Sequence, residues 1–308
     1  MKKIFLSLII ICTILVGFVY FSLCANAENL KTIEHNGKYG FVNDKGKLVI
    51  DTKYDSARDF HEGLAAVLSD DNWEYINKKG KVIIKPNVLY DRVGDFKEGR
   101  AYVVHSVEKK NYDDGYTYVY NYIAYINKRG KIVIPFFEGG SYFYNFSNGL
   151  VAKQYGDSTY CSYMDKNGKI ILDSDYFEKT GWKNTRDAGC HSFSENLLRV
   201  YKYTNNKYKT RLSAFMNKKG EIVYSRKFDV PEDEEEGSCD FDSFNEGMAG
   251  FRINWKYGFI NKNFEEVIPP IYDFAYGFKD GLARVEKDGK WFYIDKQGNF
   301  VKEYKPEY

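Results

Sequence analysis

One short pattern, written again and again along the chain, constrains this protein more than anything else in it. An alternating apolar stretch, then Asn or Asp with Lys and Gly, then a second β-branched stretch recurs. It reads YGFVNDKGKLVI (39–50), WEYINKKGKVII (73–84), IAYINKRGKIVI (123–134), CSYMDKNGKIIL (161–172), LSAFMNKKGEIV (212–223), YGFINKNFEEVI (257–268) and WFYIDKQGNFV (291–301). Period-two alternation broken by a Gly-bearing turn describes a β-hairpin. The turn glycines are Gly46, Gly80, Gly130, Gly168, Gly220 and Gly298; Phe264 stands in that place in the sixth copy, which therefore calls for a different turn. Asp44, Asn77, Asn127, Asp165, Asn217, Asn261 and Asp295 recur with the turn and read as turn chemistry, not as ligand sites.

A second motif alternates with the first: DFHEGLAAV (59–67), DFKEGRAYV (95–103), NFSNGLVAK (145–153), SFSENLLRV (192–200), SFNEGMAGF (243–251) and GFKDGLARV (277–285). A Phe packs, a polar pair turns the chain, Gly permits the turn, and a short strand begins. Asn196 replaces Gly in the fourth copy and also tolerates the left-handed region. Each copy is thus a three-stranded antiparallel meander followed by a linker, and linkers such as KYDSARDF (53–60) and IYDFAYGF (271–278) open on Tyr-Asp. Leu30–Glu34 before Asn36-Gly37 completes a first copy, making about seven. Extra length falls in two hairpins, 107–122 and 201–210, and in two linkers, 173–192 and 224–243.

These residues resemble the WG-repeat (KWG-repeat) family, through a pattern of the form GLAxV…nGKWGyIdkxGkvvIpp.Yd…F.eG that covers nearly all of 30–304. The passage YGFINKNFEEVIPPIYDFAYGFKDGLARVEKDGKWFYIDKQG matches best, while copies four and five drift. The resemblance implies an all-β repeat architecture and a binding or surface role, with no assigned chemistry. Blade-like length and the count of seven favour β-propeller-like closure over an open β-solenoid.

Lys2 and Lys3, an apolar run from Ile4 to Leu23, and Ala25-Asn26-Ala27 form a signal-peptide pattern, with cleavage after Ala27 and one repeat domain over 28–308. The run is also long enough to span a bilayer, so an uncleaved N-terminal anchor is the alternative and the sole membrane association expected. Cys24 invites a lipoprotein reading, but Leu23 precedes it where a small residue is wanted. Cleavage leaves 43 Lys plus Arg against 43 Asp plus Glu, a balance that argues against nucleic acid as partner. Cys161, Cys190 and Cys239 remain; Cys190 and Cys239 lie in comparable linkers, so a bridge between them is one open pairing.

Catalysis finds little footing. His35, His61, His105 and His191 sit at different repeat positions, and His61 falls in a solvated turn. His191 beside Cys190 suggests a thiol-imidazole pair, but neighbours in an extended segment point to opposite faces. No nucleotide-binding or metalloprotease motif is present, and no metal or other cofactor is expected. The acidic run 231–242 reads as a solvated insertion, with only Asp240 and Asp242 spaced as calcium ligands would be.

Aromatic side chains give the positive lead. Trp73 and Trp291 fill the repeat's own strand position and are expected to pack between copies. Trp255 falls where the repeat has a turn glycine, matching Gly37 and Gly289, and Trp182 lies in a long linker. Tyr116, Tyr118, Tyr120 and Tyr122 share one face of the enlarged third hairpin. The expected binding residues are Trp255, Trp182, Tyr116, Tyr118 and Tyr120, on rigid aromatics of the kind protein and glycan contacts use. The expected function is a non-enzymatic, secreted or cell-envelope interaction module for a protein or polysaccharide partner. A glycan-active hydrolase or lyase, and a structural spacer, are the alternatives.

Overall fold

The computed structural model describes residues 29–85, 90–110, 115–140, 142–154, 160–186, 189–204, 210–229 and 240–305. The expected signal segment 1–27, most of the acidic run and Cys239 lie outside them. The described chain is all-β apart from one short helix, Ser174–Thr180, and no described helix is long and apolar enough to cross a membrane.

The described residues fall into two compact units, one up to residue 85 and one from Tyr90 onward. In the first, residues 30–54 make a three-stranded sheet and 56–84 a four-stranded one. In the second, sheets span 92–139, 150–172, 198–229, 248–272 and 274–303, with a two-stranded ribbon, Thr185–Arg186 with Gly189–Cys190. Neighbouring strands in every sheet are consecutive in sequence and antiparallel, as the meander reading requires. Three sheets gain a fourth strand from the linker before them: Ser56–Ala57, Arg92–Val93 and Phe274–Ala275.

Strand residues alternate between faces, and both faces of an inner sheet are buried. In the sheet 248–272, Ala249, Phe251 and Ile260 pack against Phe215, Phe241 and Phe244 before them. Met248 and Phe259, on the opposite face, pack against Phe278, Ala283 and Val285 after them. The glycine of the Tyr-Gly pair has a steric cause. A Cβ on Gly258 would lie 2.6 Å from the Ile268 carbonyl oxygen, and one on Gly40 2.5 Å from that of Ile50, because the third strand crosses closely at a bulge.

The hairpin turns are built as their composition suggests. Asn77 Oδ1 accepts from the N–H groups of Lys79 and Lys81, and Asn127, Asp165, Asn217, Asn261 and Asp295 do the same two and four residues on. In the first copy Asn43 does this, not Asp44. The sixth copy keeps the same turn, contrary to expectation. Phe264 adopts φ 63°, and its N–H donates to the Asn261 carbonyl at 2.9 Å. The left-handed backbone costs a non-glycine residue about 1–2 kcal/mol. Stacking offsets it: the Phe264 ring lies parallel to Tyr224 at 4.6 Å, within reach of Phe215 and Phe244.

In the second compact unit the Phe-x-Glu-Gly turns link one copy to the next. Glu98 accepts from the N–H of Gly149, Glu195 from Gly247, and Glu246 from Asp280 and Gly281, at 2.7–2.8 Å. Asn148 accepts from Asn196 in the drifted fourth copy. One residue earlier, Ser147, Ser194 and Asn245 donate to the carbonyls of Phe193, Phe244 and Phe278. Lys166, Lys262 and Lys296, from the hairpin turns, add ion pairs to Glu98, Glu195 and Glu246. The Gly281 N–H, with those of Asp280 and the Lys296 ammonium, holds the Glu246 carboxyl below its ordinary value. Lys256 and the Asp288 N–H do the same to Asp273. A lowered carboxyl contributes stability that is complete above the unfolded value, about pH 4 to 4.5, and lost as pH falls through the folded value. An NMR titration is therefore expected to place Glu246 and Asp273 below their free counterparts, with stability falling on acidification below about pH 4. Ordinary titration of both would remove that account.

Candidate binding surface

Strand direction puts the Glu-Gly turns at one end of the sheets and the turns between first and second strands at the other. In the sheet 248–272 that second turn is Asn254-Trp255, with φ of 49° and 63°. The equivalent turns place Gly37 and Gly289 second, with φ of 73° and 72°. A bulky residue in this region is an outlier, and such outliers collect at functional positions. The Trp255 ring is 55% exposed, with the Arg252 guanidinium 4.9 Å from its centre.

From there a run of rings and cations continues onto the last sheet. Arg252 also lies over Tyr257, which touches Phe274 at 5.4 Å. Phe274 contacts Tyr276 at 5.1 Å and Trp291 at 5.7 Å. The register explains the grouping: Phe274 pairs with Glu286 and Glu286 with Trp291, so all three share a face. Arg284 closes the cluster, its guanidinium 4.2 Å from Tyr276, 4.6 Å from Tyr304 and 5.1 Å from Trp291. It has no carboxylate partner among the described residues. Phe274 and Tyr276 are exposed, and Trp291 and Tyr304 half-buried. Beside them an open cleft of about 630 Å³ is lined by Lys287, Lys290, Phe292 and Phe300, among others. That volume is in the range of ligand pockets.

The tyrosine stripe lies on another sheet, 92–139. Tyr118, Tyr120 and Tyr122 pair with Lys109, Val107 and His105, all on one face. Lys109 lies 4.8 Å from the Tyr120 ring and donates to the Tyr122 hydroxyl, which lifts its pKa. Tyr116 and Tyr118 are exposed.

Trp182, expected among the binding residues, lacks the exposure of a contact residue and is a core side chain instead. It is 7% exposed, packed with Phe177, Leu198 and Val200 beneath the Lys202 ammonium. The linker carrying it is strapped down by a disulfide. Cys190 bonds to Cys161, not to Cys239, which also removes any thiol beside His191. Asp240, spaced for calcium with Asp242, is taken up by Arg199 and Arg211. Trp291, expected between copies, instead joins the exposed cluster. Arg284 was traceable in one respect: it occupies the repeat position of Ala66, Ala152 and Gly250.

The family model described as WG containing repeat matches residues 39–73, 75–105 and 257–291, so the chain carries WG repeats over those stretches. No curated protein sequence matches it significantly. Among solved structures, a eukaryotic initiation factor is similar at TM-score 0.51 and 11% identity, over 90% of this chain and 85% of that one. AztD of Citrobacter koseri is similar at TM-score 0.42 and 13% identity (89% and 78% covered), and Hsv2p of Kluyveromyces lactis at 0.43 and 10% (87% and 89%). The likeness to the first is one of fold, and these are propeller-like proteins.

Proposed function

We propose that this chain is a non-enzymatic interaction module of the cell envelope or secretome, holding a protein or polysaccharide partner on the surface from Trp255 to Tyr304. The observation that carries it is the Arg284 cluster: a guanidinium set among three rings, beside an open cleft, with an exposed tryptophan held in a strained turn nearby. Aromatic planes and arginine dominate binding energy at contact surfaces. The Cys161–Cys190 bridge supports an oxidising compartment, in keeping with the apolar leader.

The test is a binding screen of residues 28–308 against cell-wall polysaccharides and surface-protein extracts, with Trp255→Ala, Arg284→Gln and Tyr118→Ala alongside. A saturable partner is expected, weakened about tenfold or more by Trp255→Ala or Arg284→Gln. Binding that only Tyr118→Ala weakens would move the site to the third hairpin, and no partner for a well-folded chain would leave a structural spacer.

The proposal includes seven copies in propeller-like closure, supported by the fold likeness above. Small-angle scattering is expected to give a compact particle; a rod-like profile would replace closure by an open stack.

A further inference from the structure

Each sheet of the repeat carries an aromatic ring at the centre of its second strand, and the last sheet treats that ring differently. Register makes Phe41, Tyr75, Tyr125, Tyr163, Phe215 and Phe259 equivalent to Tyr293. All but Tyr293 are at most 2% exposed. Phe41, Tyr125, Tyr163, Phe215 and Phe259 each meet the phenylalanine of the turn that follows, at 4.8–5.2 Å. Tyr293 is half-buried, and its ring meets Tyr304 at 6.1 Å and Lys302 at 5.1 Å, both of its own sheet.

The residues flanking the ring change with it. On the third strand its cross-strand neighbour is Ile50, Ile84, Ile134, Leu172 or Ile268, all buried; beside Tyr293 it is Lys302, which is exposed. On the first strand Arg284, half-buried, stands where Ala66, Ala152 and Gly250 do. Arg199 fills that position in the sheet 198–229, but Asp240 answers it there at 3.6 Å. Neither Arg284 nor Lys302 forms an ion pair among the described residues, although Glu286 shares their face. A polar outer face keeps a terminal copy soluble, but solubility does not call for two charges of one sign, each laid against a ring. A guanidinium stacked on rings keeps its N–H fork in plane for an anion.

Given the binding role proposed above, we infer that its ligand is an acidic polysaccharide. Arg284 and Lys302 take its carboxylate or phosphate groups, and its sugar rings lie on Trp291, Phe274 and Tyr276. The cleft of about 630 Å³ adjoins this face through Trp291 and Tyr304, and it adds Lys287 and Lys290 alongside Asp288 and Glu303. A net charge of only +2 over the whole chain makes any attraction for a polyanion local. A protein contact of ordinary composition would keep charge, and lysine above all, away from its centre. Here the cations stand at the centre, where the other sheets bury small or aliphatic side chains.

The experiment is calorimetric titration of the full chain, at rising salt, with polygalacturonate, teichoic acid, carboxyl-reduced polygalacturonate and polyglutamate. Saturable, salt-weakened binding of polygalacturonate or teichoic acid is expected, and which of them binds tells carboxylate from phosphate. Arg284→Gln and Lys302→Gln are each expected to weaken it about tenfold, as loss of a hydrogen bond to a charged group does. Lys302 is exposed, so its variant decides if Arg284→Gln does not fold. Equal binding of the carboxyl-reduced polymer or of polyglutamate overturns the acidic polysaccharide and leaves the binding surface standing. So does a ligand lost in Trp255→Ala but kept in both variants. No saturable ligand of any kind, here or in the screen above, overturns both.

Discussion

Replacing both Cys161 and Cys190 by alanine is expected to lower the free energy of unfolding by about 3 to 4 kcal/mol. The bridge spans 29 residues, and closing a loop of that length removes about this much freedom from the unfolded chain. Its surroundings are made for it: Cys161 is fully buried, its N–H and C=O are both bonded to the Asn184 side chain, and the Cys190 N–H donates to the Tyr144 hydroxyl. Denaturant unfolding of the oxidised chain, the reduced chain and the double variant measures the effect. Equal midpoints in all three would mean the bridge constrains nothing the fold does not already hold.

The two unusual tryptophans should respond in opposite ways. Trp182→Ala leaves a cavity among Phe177, Leu198 and Val200, and is expected to cost about 3–5 kcal/mol. Trp255→Ala removes an exposed ring from a turn and is expected to stay within about 0.5 kcal/mol of the parent. Paired urea unfolding curves test this. A Trp255 variant as unstable as the Trp182 variant would make Trp255 a packing residue and withdraw it from the binding surface.

That contrast shows how far the sequence could be read. Both tryptophans depart from the repeat pattern, and pattern alone gave them the same status. The turn position of Trp255 is legible because it is local: two residues between paired strands fix where a side chain goes. The burial of Trp182 is not, because a seven-residue helix and the Cys161 bridge fold its linker back onto two sheets. The hairpins, the left-handed Asn196 and the Asn-Lys-x-Gly turns were legible for the same local reason. Phe264 was misjudged because the contacts that hold it in a glycine's conformation come from Tyr224, in the copy before. Glu246 could be read as a turn residue, whereas its acceptor role depends on Gly281, 35 residues on. The Arg284 cluster draws rings from three separate strands and segments that no single motif contains.

Among the described residues of the second unit, the three Glu-to-Gly bonds between copies run the same way, a side chain in one copy accepting from a backbone N–H in the next. That N–H belongs to the next copy's own glycine turn, a feature the repeat motif itself carries. A gene segment duplicated in tandem would therefore be held by its neighbour from the first generation, before any substitution adapted it. Trp255 and the tyrosine-lined hairpin lie at the opposite end of their sheets, away from these bonds.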